Sequence, residues 1–90
     1  MDQLLTIYTR PGCHLCQEMK VIVERVVRET RAAAQIQEID IANNRALEEQ
    51  YGQEIPVLLV NGRKAAKYRI SEKDLTRILT ARAGGAGGAG

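Results

Sequence analysis

The chain has 90 residues, 44% of them hydrophobic and 27% charged, with a formal net charge of +2 at pH 7. That length supports one domain with one modest core, and charges of both signs spread along the chain argue against a dedicated nucleic-acid surface. No run is long and apolar enough to span a membrane, so no membrane association is expected. Phe and Trp are absent, which leaves the core to Leu, Ile, Val, Met and Ala with three Tyr. Met1-Asp2-Gln3 leads straight into a strand-like segment, so no signal peptide is expected, and the expected location is cytoplasmic. In that compartment a disulfide is more often transient than structural.

Residues 4–9 (LLTIYT) have strand composition and end at Arg10-Pro11-Gly12. From Cys13 to about Thr30 the period becomes helical. Leu15, Met19, Ile22 and Val26 recur at helical spacing, and Cys16, Val23 and Val27 widen the stripe. Residues 35–41 read as a second strand; because a helix separates it from the first, the two should run parallel. Asn43 is the expected N-cap of a short helix through Leu47 and Tyr51, with Gly52 as its stop. Val57-Leu58-Leu59-Val60 is a continuous apolar run of the kind found in strands covered on both faces. Asn61-Gly62 signals a type I′ hairpin. It returns residues 63–67 as an edge strand, whose Arg63, Lys64 and Lys67 discourage further pairing. A last helix starts near Ser71, where Ser71 and Asp74 approximate a capping box, and it turns Leu75, Ile78 and Leu79 to the sheet. The order is β-α-β-α-β-β-α, an α/β domain expected over residues 1–82. A low-complexity Gly/Ala tail over residues 83–90 is expected to be flexible.

The chemistry concentrates in Cys13-His14-Leu15-Cys16, which holds the only two cysteines. Residues three apart at the first turn of a helix lie on the same side, so the two sulfurs can come within bonding distance. The first sulfur would sit where unpaired N–H groups and the helix dipole stabilise an anion, which lowers a thiol's pKa and yields a nucleophilic thiolate. The apolar stripe turns Cys16 toward the interior and leaves Cys13 at the open end, an asymmetry suited to one attacking and one resolving thiol. Pro11-Gly12 favours an exposed turn at Cys13 over a buried, inert pair. Arg10, permanently charged and three residues before Cys13, is the expected electrostatic partner of the thiolate. His14, mostly neutral at pH 7, is expected to add little and to face solvent. Two thiols and one intervening His cannot close a four-ligand zinc site within one chain. Binding of zinc or a [2Fe–2S] cluster would need thiolates pooled in a dimer. A third reading keeps the fold as a non-catalytic partner-binding module.

This order of elements, with C-x-x-C at the first helix and a proline opening the third strand, resembles the thioredoxin fold in its compact glutaredoxin form. That form is a mixed four-stranded sheet with helices on both faces. The stretch Tyr8-Thr9-Arg10-Pro11-Gly12-Cys13-His14-Leu15-Cys16 is most similar to glutaredoxin-like proteins with a C-x-L-C centre. The resemblance covers about residues 4–81 and implies a thiol–disulfide oxidoreductase, with Cys13 as nucleophile and Cys16 as resolving thiol. It also implies that Pro56 is a cis-proline beside the cysteine pair, leaving the backbone of Ile55 free to pair with a substrate. Arg10, Pro11, His14, Ile55 and Pro56 then form the expected substrate-binding surface. The implied partners are a disulfide-containing protein or small molecule and, as electron donor, a reductase or glutathione. No cofactor is required, no metal is expected, and the chain is expected to act as a monomer. Ordinary glutaredoxins carry Thr-Val before the cis-proline, where this chain has Glu54-Ile55. They also carry a Gly-Gly pair and an acidic pair before the last helix, which help hold glutathione; here that stretch reads Tyr68-Arg69-Ile70-Ser71-Glu72.

Overall fold

Strand β1 (Gln3–Thr9) is covered on both faces: Leu5 and Ile7 are fully buried on one, while Thr6 is buried and Tyr8 half-buried on the other. Such a strand belongs at the centre of a sheet, and the computed structural model, which describes residues 2–83, places it there. On one side β2 (Ala34–Asp40) pairs with it in parallel, with Thr9 beside Asp40 at the end of the register. On the other side β3 (Val57–Val60) runs antiparallel, with Tyr8 opposite Val57. β4 (Arg63–Lys67) completes the order β2-β1-β3-β4. All four residues of β3 are buried, as the continuous apolar run predicts.

Helices α1 (His14–Thr30) and α3 (Glu72–Ala83) lie together on the Leu5–Ile7 face. There Met19, Val23 and Val26 from α1 meet Leu75 and Leu79 from α3 over Leu58 and Val60. The core is thus closed without Phe or Trp, by branched aliphatic side chains and one Met that fills between them. On the opposite face Tyr51 of α2 (Arg45–Tyr51) stacks against Tyr8, ring centroids 4.8 Å apart, a separation at which aromatic pairs add to plain burial. The helices therefore cover both faces of a mixed four-stranded sheet, and the element order is the predicted one.

Two local readings change. Asn44, and not Asn43, caps α2, its Oδ1 accepting the Leu47 N–H at 3.0 Å. Asn43 is consumed in a 3-10 turn, Ile41–Asn43, which Asp40 opens by accepting the Ala42 N–H at 2.8 Å. Asp is as good a cap as Asn, so the earlier of the two ends β2 and leaves Ile41 buried in the turn rather than in the strand. Gly52 does end α2, but at φ −54° and not in the left-handed region. Its missing side chain matters for a different reason, because a Cβ there would press on the Glu48 carbonyl oxygen and lie 3.3 Å from Arg10 Nη2. The cap of α3 is as anticipated: Ser71 Oγ accepts the Asp74 N–H at 3.0 Å. Beyond Ala83 the expected tail lies outside the described residues.

The β3–β4 turn has φ of 53° at Asn61 and 86° at Gly62, as a type I′ turn requires. Asn61 is also stitched to β1. Its Oδ1 accepts the Leu4 N–H at 2.9 Å, and its own N–H donates to the Leu4 carbonyl at 2.8 Å. Asn61→Ala is expected to cost about 1–2 kcal/mol, through the left-handed backbone and the lost side-chain bond. Asn61→Asp, which keeps the acceptor, should cost much less. Urea unfolding checks this, as a lowered midpoint at unchanged slope.

Candidate active site

Parallel strands β1 and β2 end together at Thr9 and Asp40, and open α/β sheets bind ligands beyond the carboxyl ends of such strands. The chain leaves β1 through Arg10-Pro11-Gly12, closing a turn in which the Cys13 N–H donates to the Arg10 carbonyl at 3.2 Å. Gly12 makes the reversal at φ 77°, which only glycine adopts without penalty. Cys13 then stands as the N-cap of α1, with extended backbone, its Sγ accepting the Cys16 N–H at 3.1 Å. The first turn of α1 contains no acidic residue, so the positive end of the helix dipole faces the Cys13 sulfur uncompensated.

Cys13 and Cys16 form a disulfide, their Cα atoms 5.2 Å apart. Cys16 is only 1% exposed. Cys13 is half-buried, on the rim of an open depression of about 300 Å³ lined also by Thr9, Arg10, Pro11, Gly12, Gln17, Glu38 and Asp40. The apolar stripe thus orients the pair as the periodicity indicates, one sulfur inward and the other at the open end.

The charged side chains nearby are tied to polar partners. The Arg10 guanidinium engages the Glu48 carboxylate and donates to the Gly52 carbonyl at 3.3 Å. It ties the loop before Cys13 to α2, in place of the expected free partnership with the Cys13 sulfur. His14 has 84% of its side chain exposed, with Nε2 3.1 Å from Glu18 one helical turn along. Pro11 is exposed beside it.

The pairing of Tyr8 with Val57 carries Pro56 to a place opposite Thr9, at the same sheet edge as Cys13. The Ile55–Pro56 bond is cis, Pro56 is buried and Ile55 is half-buried outside the strands. β4 and the residue after it hold the preceding segment. Lys64 Nζ donates to Glu54 Oε1 at 2.7 Å, the Tyr68 hydroxyl to the Gln53 carbonyl at 2.9 Å, and the Tyr68 N–H to the Pro56 carbonyl at 2.8 Å.

Residues 4–80 match the family model described as a glutaredoxin-like domain (DUF836). The chain belongs to the glutaredoxin-like family. Over 75 residues it is 35% identical to the Glutaredoxin-like protein YDR286C homolog of Dictyostelium discoideum, covering 79% of this chain and 69% of that one. Among solved structures, target protein XcR50 from X. campestris is 32% identical with a TM-score of 0.66, over 86% of this chain and 96% of that one. A mutant thioredoxin from Halobacterium salinarum NRC-1 superposes with a TM-score of 0.65 over 89% of this chain and 74% of that one. At 24% identity that likeness speaks to the fold alone, which is the thioredoxin fold.

The sequence alone carries no signal for the placement of Glu38, Asp40 and Glu48 or for the bracing contacts of Tyr68. Glu38 and Asp40 are two apart on β2 and so share a face, but only the parallel register brings that face to the depression. Glu48 meets Arg10 from 38 positions away, beyond any local pattern. Among the described residues, no group of three or more His, Cys, Asp or Glu is placed to hold a metal ion, and no helix is long and apolar enough to cross a membrane.

The hydrogen bond from Lys64 holds the Glu54 carboxyl below its ordinary value of 4.5, and Glu54 in turn raises the Lys64 ammonium above 10.5. The contribution of Glu54 is complete above its ordinary value and is lost as pH falls through the lowered one. That of Lys64 is complete below its ordinary value and is lost as pH rises through the raised one. The brace therefore holds throughout the interval between 4.5 and 10.5. Because the pair is exposed, its effect is local rather than global. Hydrogen exchange at the Tyr68 amide, which donates to the Pro56 carbonyl at 2.8 Å, should be faster, corrected for intrinsic rate, in Glu54→Gln than in the wild type at neutral pH. The two should converge as pH falls through the Glu54 titration.

Proposed function

We propose that this glutaredoxin-like chain is a thiol–disulfide oxidoreductase that works by a dithiol cycle on disulfide-containing proteins or small molecules. The observation that carries the reading is the placement of the pair: the half-exposed Cys13 is itself the cap of α1 and is bonded to a buried Cys16. In the reduced protein the Cys13 thiolate occupies the point where the Cys16 N–H and the helix start favour an anion. It attacks one sulfur of a substrate disulfide R–S–S–R′. A Cys13–S–S–R bond forms, the S–S bond of the substrate breaks, and R′S⁻ leaves to be protonated by solvent.

Cys16 gives its proton to solvent and attacks the Cys13 Sγ. That step forms the Cys13–Cys16 disulfide and releases RS⁻. Two electrons have then passed from the dithiol to the substrate, and glutathione or a dithiol reductase returns two. Burial keeps Cys16 from external disulfides, which fits it for resolving rather than attacking. Ile55, outside the strands and half-exposed, receives an extended substrate backbone with Pro56 behind it, and Pro11 and His14 form the rim beyond Cys13. Arg10 holds the loop through Glu48. A reducing cytoplasm suits such a cycle, since it regenerates the dithiol.

With a disulfide-bonded protein substrate, Cys16→Ser should accumulate a mixed disulfide, visible by mass spectrometry, while Cys13→Ser forms none; equal trapping by both would contradict the roles. In the reduced protein, alkylation of Cys13 should follow a pH profile centred well below the free-thiol value of about 8.5. A profile centred there or higher would remove the helix start as the source of activation. Turnover with glutathione and its reductase in one arm, and thioredoxin reductase in the other, identifies the donor.

A further inference from the structure

Tyr68 has φ 68°, in the left-handed region that bulky side chains avoid. Among the described residues two other non-glycine residues share that region, and both have ordinary reasons. Arg31 is the C-cap of α1, and Asn61 sits in the hairpin turn. Tyr68 belongs to neither kind of site. It is the middle residue of a three-residue turn closed by the Arg69 N–H donating to the Lys67 carbonyl at 2.7 Å, a tight turn that is rare with this sign of φ. An observed outlier of this kind persists only where the surroundings over-determine it.

Here the surroundings are the substrate side of the centre. The Tyr68 N–H bonds the Pro56 carbonyl and its hydroxyl bonds the Gln53 carbonyl, so one residue brackets the segment holding Ile55 from both ends. Unlike Tyr8 and Tyr51, which stack on each other, Tyr68 is 43% exposed, with Lys67 Nζ 5.6 Å from its ring centroid. Core packing therefore does not account for a tyrosine in this conformation.

We propose that Tyr68 is a positioning residue that holds the Ile55 backbone ready to pair with an extended chain, and so selects polypeptide disulfides over small ones. The inference rests on the oxidoreductase reading above. A polypeptide that adds a strand-like segment beside Ile55 needs that segment ordered beforehand, and a clamp formed before binding removes the ordering cost from the encounter. A small disulfide that meets only the Cys13 sulfur draws no such benefit.

The test uses the full chain. Tyr68→Phe removes the hydroxyl and keeps the ring; Tyr68→Gly relieves the left-handed backbone and removes both. The probes are insulin as the polypeptide disulfide and 2-hydroxyethyl disulfide as the small one. In Tyr68→Phe, hydrogen exchange at the Glu54 amide, which donates to the Tyr51 carbonyl at 2.8 Å beside the Gln53 anchor, should quicken about three- to tenfold, the worth of one hydrogen bond. KM for insulin should rise by a similar factor while kcat changes by less than about twofold, the signature of lost binding rather than lost chemistry. Tyr68→Gly should show at least the same rise. Unchanged exchange in Tyr68→Phe, an unchanged KM for insulin in either variant, or equal losses on both disulfides would each overturn the assignment. A wild-type chain that reduces neither disulfide sinks the oxidoreductase reading and the selectivity together. A wild type that reduces both, with variants that match it, sinks the Tyr68 assignment alone.

Discussion

A helix needs something at its first turn to accept the N–H groups that its own carbonyls cannot reach. In α1 that acceptor is the sulfur of Cys13, 3.1 Å from the Cys16 N–H. The reversal at Gly12 serves this contact by swinging the chain from the end of β1 into the cap position. The inward turn of Cys16 follows from it, because helical spacing sets the second sulfur one turn along on the same side. A neutral sulfur is a weak acceptor, whereas a thiolate is a strong one. The cap is therefore better made in the ionised, reduced protein than in the oxidised one. Whatever this bond contributes to α1 also favours the reduced form of the pair, so helix stability and redox poise are coupled through one atom.

Around that atom two side-chain ion pairs form, while Asp40 in the depression has no cationic partner among the described residues. Arg10 is matched by Glu48, His14 faces Glu18, and Glu38 in the depression is met by Lys20 at 3.3 Å. Exposed pairs of this kind add little to stability, but they leave the backbone dipole of α1 as the field with no counter-charge in its own first turn. The electrostatic work expected of Arg10 thus passes to peptide groups, which no pH change within the working range can switch off.

Much of this was legible in the residues, and what was legible shares a cause. The burial of Val57–Val60, the turn at Asn61-Gly62 and the unequal exposure of Cys13 and Cys16 each depend on a handful of neighbours in the chain, so a local pattern carries them. The cap of α2 falls one residue beyond the expected Asn43 because Asp40, Asn43 and Asn44 all have cap chemistry within five positions. The choice among them depends on where β2 stops pairing with β1. Arg10 and Glu48 find each other only through the folded sheet. Tyr68 is the least legible of all: nothing in a tyrosine announces a positive φ, and the contacts that hold it lie across the β3–β4 hairpin.

The two halves of the site are held to different degrees, and the reason is physical. The Cys13 half grows out of the central strand and a 17-residue helix with four buried side chains. The Ile55–Pro56 half follows α2, a seven-residue helix with no fully buried residue. A helix that short is not stable on its own. It is kept in place by the Tyr8–Tyr51 stack and the Arg10 tie, which also needs the bare backbone of Gly52. The connection from α2 to β3 then takes its order from Lys64 and Tyr68 on the far side of the hairpin, through contacts near the surface. Local opening is drawn from regions with few buried contacts, so this half yields first. The Cys13 sulfur therefore takes its geometry from the core, whereas the order of the Ile55–Pro56 segment rests on the Lys64 and Tyr68 contacts and is lost where they are lost.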